Sequence, residues 1–408
     1  MKILLIQNRF YPSLGGAEKH TYLLSKYLYD KGHDVVIYTT TSLSKEDVVS
    51  LVFTPPFIFK SKIKTHLPKN DIINGAFIRR FNMQFRFWSF NWIPEMFKEL
   101  KKNTQEFDVI HAHGYHISTS LAGCYYANKF KKPFILTAHD LIIPTNLSSD
   151  AKLFKKVYDK TFGRYLLKNS KRLIALTEDH IQQYNERGGD INKIKIVPNG
   201  IELDGYKNIN INKNAIDKFG INDQNKILLF VGRIEKYKGI QDIIEIMPEI
   251  LKEFPKGKFV IVGKDYGYKK ELEKIVGNQN LKDKAIFAGN VSDDGLIGLY
   301  KRADIFVLPS KMEGFGIVLL EAMASGTLCI AYSIPAVRKI IKNKENGVLV
   351  NDKSELLERI LYYLKNPDEK AKIERNALEY VENYDIKNIV NAIEGAYTEA
   401  INENMLSR

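Results

Sequence analysis

The sequence predicts an α/β protein made of two doubly wound parallel sheets. Three observations carry that prediction: strand-like runs alternate with helical patterns, the runs are apolar enough to be covered on both faces, and 408 residues exceed what one hydrophobic core usually supports.

Lys2 to Gln7 reads as the first strand, because four successive apolar residues, Ile3 to Ile6, suit a position buried from both sides. Gly15 and Gly16 then open a helix with His20, Leu23, Leu24, Tyr27 and Leu28 on one face, and their amides are placed to cap a diphosphate. Further strand-like runs follow at Asp34 to Thr40, Asp108 to His113, Pro133 to His139, Arg172 to Thr177 and Lys193 to Val197. A linker is expected near residues 199 to 206, after which the rhythm restarts. The second series is Lys226 to Gly232, Lys258 to Gly263, Ala285 to Gly289, Asp304 to Ser310, Leu328 to Ser333 and Gly347 to Asn351. Two domains are therefore expected, residues 1–202 and 203–383, with ligands at the carboxyl ends of the strands.

Leu51 to Trp92 departs from this rhythm. It holds Pro55, Pro56, cations that include Lys60, Lys62, Lys64, Arg79, Arg80 and Arg86, and both tryptophans, Trp88 and Trp92. Aromatic rings interleaved with cations over Phe85 to Trp92 suit a membrane interface, and equally suit packing under an irregular insertion.

Net charge is +13, and all of it lies in residues 1–200, which hold 30 Lys and Arg against 17 Asp and Glu. A one-sided basic domain implies an anionic partner for that half: a lipid surface, a phosphorylated acceptor or nucleic acid. Cys124 and Cys329 sit far apart in apolar runs, which favours buried thiols in a reducing compartment over a disulfide. The opening Met1 to Ile6 is too short for a signal peptide, and no apolar run reaches membrane-spanning length. The expectation is a cytoplasmic protein, peripheral at most on the inner membrane face.

The most informative stretch is Ser310 to Gly326. Here a buried strand, Asp304 to Leu308, leads through Gly314, Phe315 and Gly316 into a helix beginning near Ile317. The glycines let the backbone turn sharply and approach a ligand, while the helix N-terminus favours phosphate. Glu313 stands before the turn and Glu321 lies one turn into the helix, so two carboxylates flank an anion site. That combination suits a nucleotide sugar, with Glu313 accepting hydrogen bonds from its hydroxyls and Glu321 gripping a diol.

Glu313 and Glu321 with Gly-Phe-Gly between them resemble the E-x7-E signature of retaining glycosyltransferases of the GT-B fold, family 4. Gly15 to Glu18, Asp108 to His113, Pro198 to Glu202 and Gly232 to Gly239 fall in that family's order, so the resemblance spans nearly the whole chain. It implies two Rossmann-like domains facing a central cleft, with a final helix from about 384 to 408 crossing back to the first domain. Ile386, Ile389, Val390, Ile393 and Tyr397 carry the spacing for such a helix.

Arg233 and Lys238 follow the strand Ile227 to Val231, where two cations can meet the charge of a departing pyrophosphate, and the resemblance assigns them that role. It also implies that His113 contacts the donor sugar near its reacting centre and that Val291 reads the nucleobase through backbone atoms. His139 either lines the acceptor side or packs as a core histidine. His111, His113 and His116 form an H-x-H-x2-H run compatible with zinc, yet no further ligand set accompanies it apart from His139-Asp140. No Asp-x-Asp occurs, so neither metal nor other cofactor is expected. The reading is a metal-independent retaining hexosyltransferase that uses a UDP- or GDP-linked sugar. Its acceptor is a lipid-linked glycan, a cell-envelope glycan or a phosphorylated small molecule, with no nucleic-acid partner. Alternatives are a nucleotide-sugar phosphorylase, hydrolase or epimerase on the same fold, or a non-catalytic membrane or polyanion adaptor.

Overall fold

The computed structural model describes residues 1–13, 15–42, 67–87, 90–139, 141, 149–207 and 219–406. They form two compact units, Met1–Gly200 with Ile386–Arg408, and Ile201–Asp385.

In the first unit the strands are β1 (Lys2–Gln7), β2 (Asp34–Thr40), β3 (Asn70–Ile73), β4 (Ala76–Phe81), β5 (Phe85–Phe87), β6 (Phe90–Trp92), β7 (Val109–His113), β8 (Phe134–Thr137), β9 (Arg172–Ala175) and β10 (Ile194–Ile196). The helices between them are α1 (Gly16–Asp30), α2 (Pro94–Asn103), α3 (Ser118–Lys129), α4 (Ser149–Tyr158), α5 (Arg164–Asn169) and α6 (Glu178–Glu186). Eight strands make one sheet in the order β10-β9-β8-β7-β1-β2-β4-β3. Every pairing is parallel except β3 with β4. Alternation along β1 feeds two cores: Leu4 and Ile6 pack with Ile110 and Leu136 on one face, Ile3 and Leu5 with Leu24 and Ile135 on the other.

The β3–β4 hairpin lies inside the stretch that departs from the sequence rhythm. Asn74 and Gly75 both take positive φ, 49° and 78°, the pairing that a two-residue turn of right-twisted strands requires. The antiparallel edge strand β3 leaves Ile72 exposed. Pro55, Pro56, Lys60, Lys62, Lys64 and Trp88 lie outside the described residues.

In the second unit the strands are β11 (Ile227–Val231), β12 (Lys258–Val262), β13 (Ala285–Gly289), β14 (Ile305–Leu308), β15 (Leu328–Tyr332) and β16 (Val348–Val350). The helices are α7 (Leu203–Lys207), α8 (Ile240–Glu253), α9 (Lys269–Asn278), α10 (Asp293–Arg302), α11 (Ile317–Ala324), α12 (Pro335–Arg338), α13 (Lys353–Lys365) and α14 (Pro367–Val381). All six strands are parallel, in the order β13-β12-β11-β14-β15-β16. The chain enters at β11, builds outward through β12 and β13, then returns beside β11 with β14. The order of the strands thus reverses between β11 and β14, the position in an open parallel sheet at which ligands bind beyond the carboxyl ends.

The last helix, α15 (Ile386–Leu406), belongs to the first unit. Ile386, Ile389, Val390, Ile393 and Tyr397 are buried in the core that holds Ile3 and Leu5. At its far end Arg172 pairs with Glu399 and Glu403.

Candidate functional site

At the carboxyl ends of β11 and β12 the backbone closes up because glycine permits it. Gly263 has φ +141°, and a Cβ there would lie 1.9 Å from the Gly232 carbonyl oxygen. The loop after β11 is then held by its own backbone, Ile234 N–H donating to Lys264 at 2.9 Å and Tyr266 N–H to Ile234 at 3.1 Å. It turns into α8 at Gly239, whose φ is +71° and where a Cβ would come within 2.0 Å of the Pro309 carbonyl oxygen. Lys311 N–H donates to the Tyr237 carbonyl at 2.9 Å. The loop after β11 is therefore clamped to the end of β14.

Lys238 and Glu313 meet there. The Lys238 Nζ donates to Glu313 Oε1 at 2.6 Å, and each side chain is only 10% exposed. An ammonium so far removed from water is a strong partner for phosphate, and two of its three N–H groups remain for other acceptors. Arg233 is more open, with 41% of its side chain exposed. Its Nη2 donates to the Tyr237 hydroxyl at 2.7 Å, and its guanidinium lies 5.6 Å from the Tyr266 ring centroid. Two aromatic residues thus hold the fork of Arg233 in place.

Gly316 caps α11 with φ +96°, which no other residue type adopts without strain, and Phe315 and Ile317 are buried on either side. Phe315 lies 6.3 Å from Tyr384, centroid to centroid. Glu321 is 3% exposed, and its Oε2 accepts a hydrogen bond from the Tyr300 hydroxyl at 3.0 Å. That burial and the neighbouring carboxylate raise the Tyr300 pKa well above the usual tyrosine value, so Tyr300 is a permanent donor. Val291 is half-buried just before Ser292, the N-cap of α10, whose hydroxyl accepts from Gly295 N–H at 3.3 Å.

In the first unit the register of β1, β7 and β8 sets Gln7, His113 and Thr137 side by side at the carboxyl ends. Around His113 gather His20 from α1, His111 from β7 and His139 just beyond β8, with ring centroids 4.2 to 5.8 Å apart. His113 Nδ1 and His139 Nε2 share a hydrogen bond of 3.1 Å. His111 is fixed between Thr137 Oγ1 at 2.8 Å and the Tyr397 hydroxyl of α15 at 2.7 Å. Both ring nitrogens of His20 and Nε2 of His113 are buried without a protein partner. Among the described residues no group of three or more His, Cys, Asp or Glu side chains is arranged to hold a metal ion. His116 sits apart beside Asp159, and Asp140 lies outside the described residues.

Burial, reinforced by neighbouring rings, lowers His20, His111 and His139 to about 3, and His113 well below the usual histidine value. The unfolded chain therefore takes up protons near pH 6.5 that the folded chain refuses. Stability of this unit is intact above about pH 7 and is lost as the pH falls from about 6.5 toward 3. Between pH 7 and 5 the loss amounts to about 2 kcal/mol for each histidine held near 3. Urea midpoints followed by tryptophan emission report this unit, since both tryptophans fall in its sequence. An unchanged midpoint at pH 5 would refute the neutral cluster.

Gly15 caps α1 in extended backbone, φ −171°. The Glu18 carboxylate folds back against it, 2.3 Å from where a Cβ would stand, and pairs with Arg9 at 3.1 Å. An acid already lies at the first turn of α1, near the amides of Gly15 and Gly16.

Of the sequence-predicted residues the structure joins Lys238 to Glu313, sets both beside the Gly314 to Ile317 turn, and joins His113 to His139. Tyr237, Tyr266 and Tyr300, which orient Arg233 and Glu321, gave no sequence signal beyond being aromatic. His20 was visible only as one position on a buried helix face.

Residues 14–204 match the model of Glycosyltransferase Family 4, and residues 212–380 match that of glycosyl transferases group 1. The chain is 27% identical to the alpha-monoglucosyldiacylglycerol synthase of Streptococcus pneumoniae, over 88% of this chain and 78% of that one. It is 25% identical to the GDP-mannose:cellobiosyl-diphosphopolyprenol alpha-mannosyltransferase of Xanthomonas oryzae pv. oryzae, over 98% and 97%. Among solved structures, Anabaena HepE in complex with UDP and glucose superposes with a TM-score of 0.76, covering 98% of this chain and all of that one at 19% identity.

Proposed function

We propose, from the premise that this chain belongs to the family 4 glycosyltransferases of the GT-B fold, that it transfers a hexosyl group from a UDP- or GDP-linked donor to a lipid-linked acceptor with retention of configuration. That it is a glycosyltransferase acting on nucleotide sugars follows from its family and relatives. The single observation that carries the rest is the Lys238–Glu313 pair, buried where the loops after β11 and β14 meet.

In this reading Lys238 and Arg233 meet the donor diphosphate together with the amides that open α11, and Glu313 orients the sugar hydroxyls. Glu321, held by Tyr300, lies on the ribose side. The bond from the anomeric carbon to the phosphate oxygen breaks, and the bond to the acceptor oxygen forms on the same face. The acceptor's proton passes to the departing phosphate oxygen, whose charge Lys238 and Arg233 offset. No metal is needed in this scheme, because fixed cations and amides carry the charge.

The names of two relatives, an alpha-monoglucosyldiacylglycerol synthase and a cellobiosyl-diphosphopolyprenol alpha-mannosyltransferase, support a lipid acceptor. Placement in the cytoplasm, peripheral to its membrane, suits that substrate; among the described residues no helix is long and apolar enough to cross a bilayer. The test is to incubate the protein with UDP- and GDP-sugars in detergent, with and without lipid extract, following free nucleotide and the anomeric signal of the product by NMR. Extract-dependent release with the donor's anomeric configuration kept is expected. Equal release without any acceptor would replace transfer by hydrolysis.

A further inference from the structure

The first unit carries a surface that the transfer chemistry does not use. Helix α4 runs through a π-helical turn, Asp159–Gly163, into α5. The inner side is fixed: Leu166 and Leu167 are fully buried, and the Tyr158 hydroxyl donates to the Tyr115 carbonyl at 2.5 Å. Gly163 is pressed so closely on Tyr115 that a Cβ there would lie 2.0 Å from its hydroxyl. The outer side is unusual in two respects.

Leu153, Val157 and Phe162 stand 64%, 52% and 52% exposed, large apolar groups on a helix that has a core side of its own. Leu153 and Val157 are one turn apart, and the wider π-helical turn brings Phe162 round toward the same ridge. Tyr165, and Tyr125 on the neighbouring α3, are exposed as well. Beside the ridge, Lys152, Lys156, Lys160, Arg164 and Lys168 recur every fourth residue, all exposed. Among the exposed residues from 152 to 168 there is no acid; Asp159 is turned inward toward His116 and Arg187.

We propose that this face of α4 and α5 docks the protein on an anionic bilayer, with the Leu153–Val157–Phe162 ridge entering the headgroup boundary and the lysine row meeting lipid phosphates. An apolar ridge flanked by an unbroken row of cations is what such an interface selects, since burial of the ridge and attraction to the headgroups act in the same place. A soluble polyanion would use the lysines and leave the ridge wet. The purpose of the docking rests on the lipid-acceptor reading, which the surface deepens by naming where the membrane lies.

The experiment is co-sedimentation with phosphatidylcholine vesicles, with and without phosphatidylglycerol, at low and high salt and with no donor or acceptor present. The wild-type chain is expected to pellet with the anionic vesicles, less so as salt rises. Lys156→Ala with Lys160→Ala should weaken that binding about 30-fold, from roughly 1 kcal/mol for each basic residue at the surface. Leu153→Ser with Val157→Ser should weaken it about tenfold or more. Lys252→Ala with Lys365→Ala, exposed cations of the second unit, should bind as wild type. Absence of binding to anionic vesicles overturns the proposal, as does wild-type binding by both face variants, or capture by heparin that persists in the Leu153/Val157 variant with no affinity for vesicles. Nucleotide release in detergent needs no vesicle, so failure of the transfer reading would show separately.

Discussion

Lys238→Ala is expected to lower kcat about 10²–10³-fold while leaving the fold intact, the loss typical of one fixed group aimed at developing charge. Its ammonium lies where the loops after β11 and β14 meet and is already stripped of most of its water. In the proposed mechanism a cation there would offer a leaving diphosphate an interaction that bulk solvent would weaken severalfold. The same substitution isolates Glu313, whose side chain is 10% exposed, and stability should drop by about 1–3 kcal/mol. Adding Glu313→Gln should recover most of that stability, because the buried charge is gone, yet none of the turnover. Arg233→Ala should be milder in both respects, its side chain being 41% exposed. Urea midpoints and single-turnover rates on the three variants separate the two roles. Near-normal turnover in Lys238→Ala would remove the diphosphate clamp from the mechanism.

The strands were readable because a parallel sheet covered on both faces demands continuous apolar runs, and β1, β11 and β14 supply them without interruption. β3 and β4 escaped because they form the sheet edge, where Ile72 and Phe77 stand exposed and the apolar run is broken. Their signal was the Asn74-Gly75 pair, a short-range hairpin cue inside a stretch otherwise dominated by aromatics and cations. In the site, Arg233, Lys238, Glu313 and Glu321 were singled out by residue type and by their order along the chain, which the family resemblance supplied. What holds each of them was not legible. The hydroxyl of Tyr300 reaches Glu321 from another helix, and Tyr266 reaches Arg233 from the loop after a different strand. Periodicity reports which face of an element is buried, and says nothing of which residues meet across loops.

Gly239→Ala should be a severely damaging single-methyl change in the second unit. Gly239 sits at φ +71°, ψ 15°, where an alanine costs about 1 kcal/mol in backbone strain alone. The added Cβ would also lie 2.0 Å from the Pro309 carbonyl oxygen and 2.8 Å from its carbon. Those are backbone atoms, so no rotamer change relieves the contact; either α8 moves away from the end of β14 or the strand end shifts. Both outcomes separate Lys238, one residue earlier, from Glu313, four residues beyond Pro309. A loss of about 3 kcal/mol or more is expected, and at about 2–4 °C per kcal/mol the melting temperature should fall by about 6–12 °C. Donor affinity should fall with it, since the cation no longer stands beside the α11 turn. Gly277→Ala, near the end of α9, is the contrast: nothing lies within 4 Å of its Cβ position, and reduced freedom of the unfolded chain should leave stability unchanged or raise it by about 0.4–1 kcal/mol. If calorimetry and donor titration found the two variants alike, the tight approach of the β11 loop to the end of β14 would not be what holds the site together.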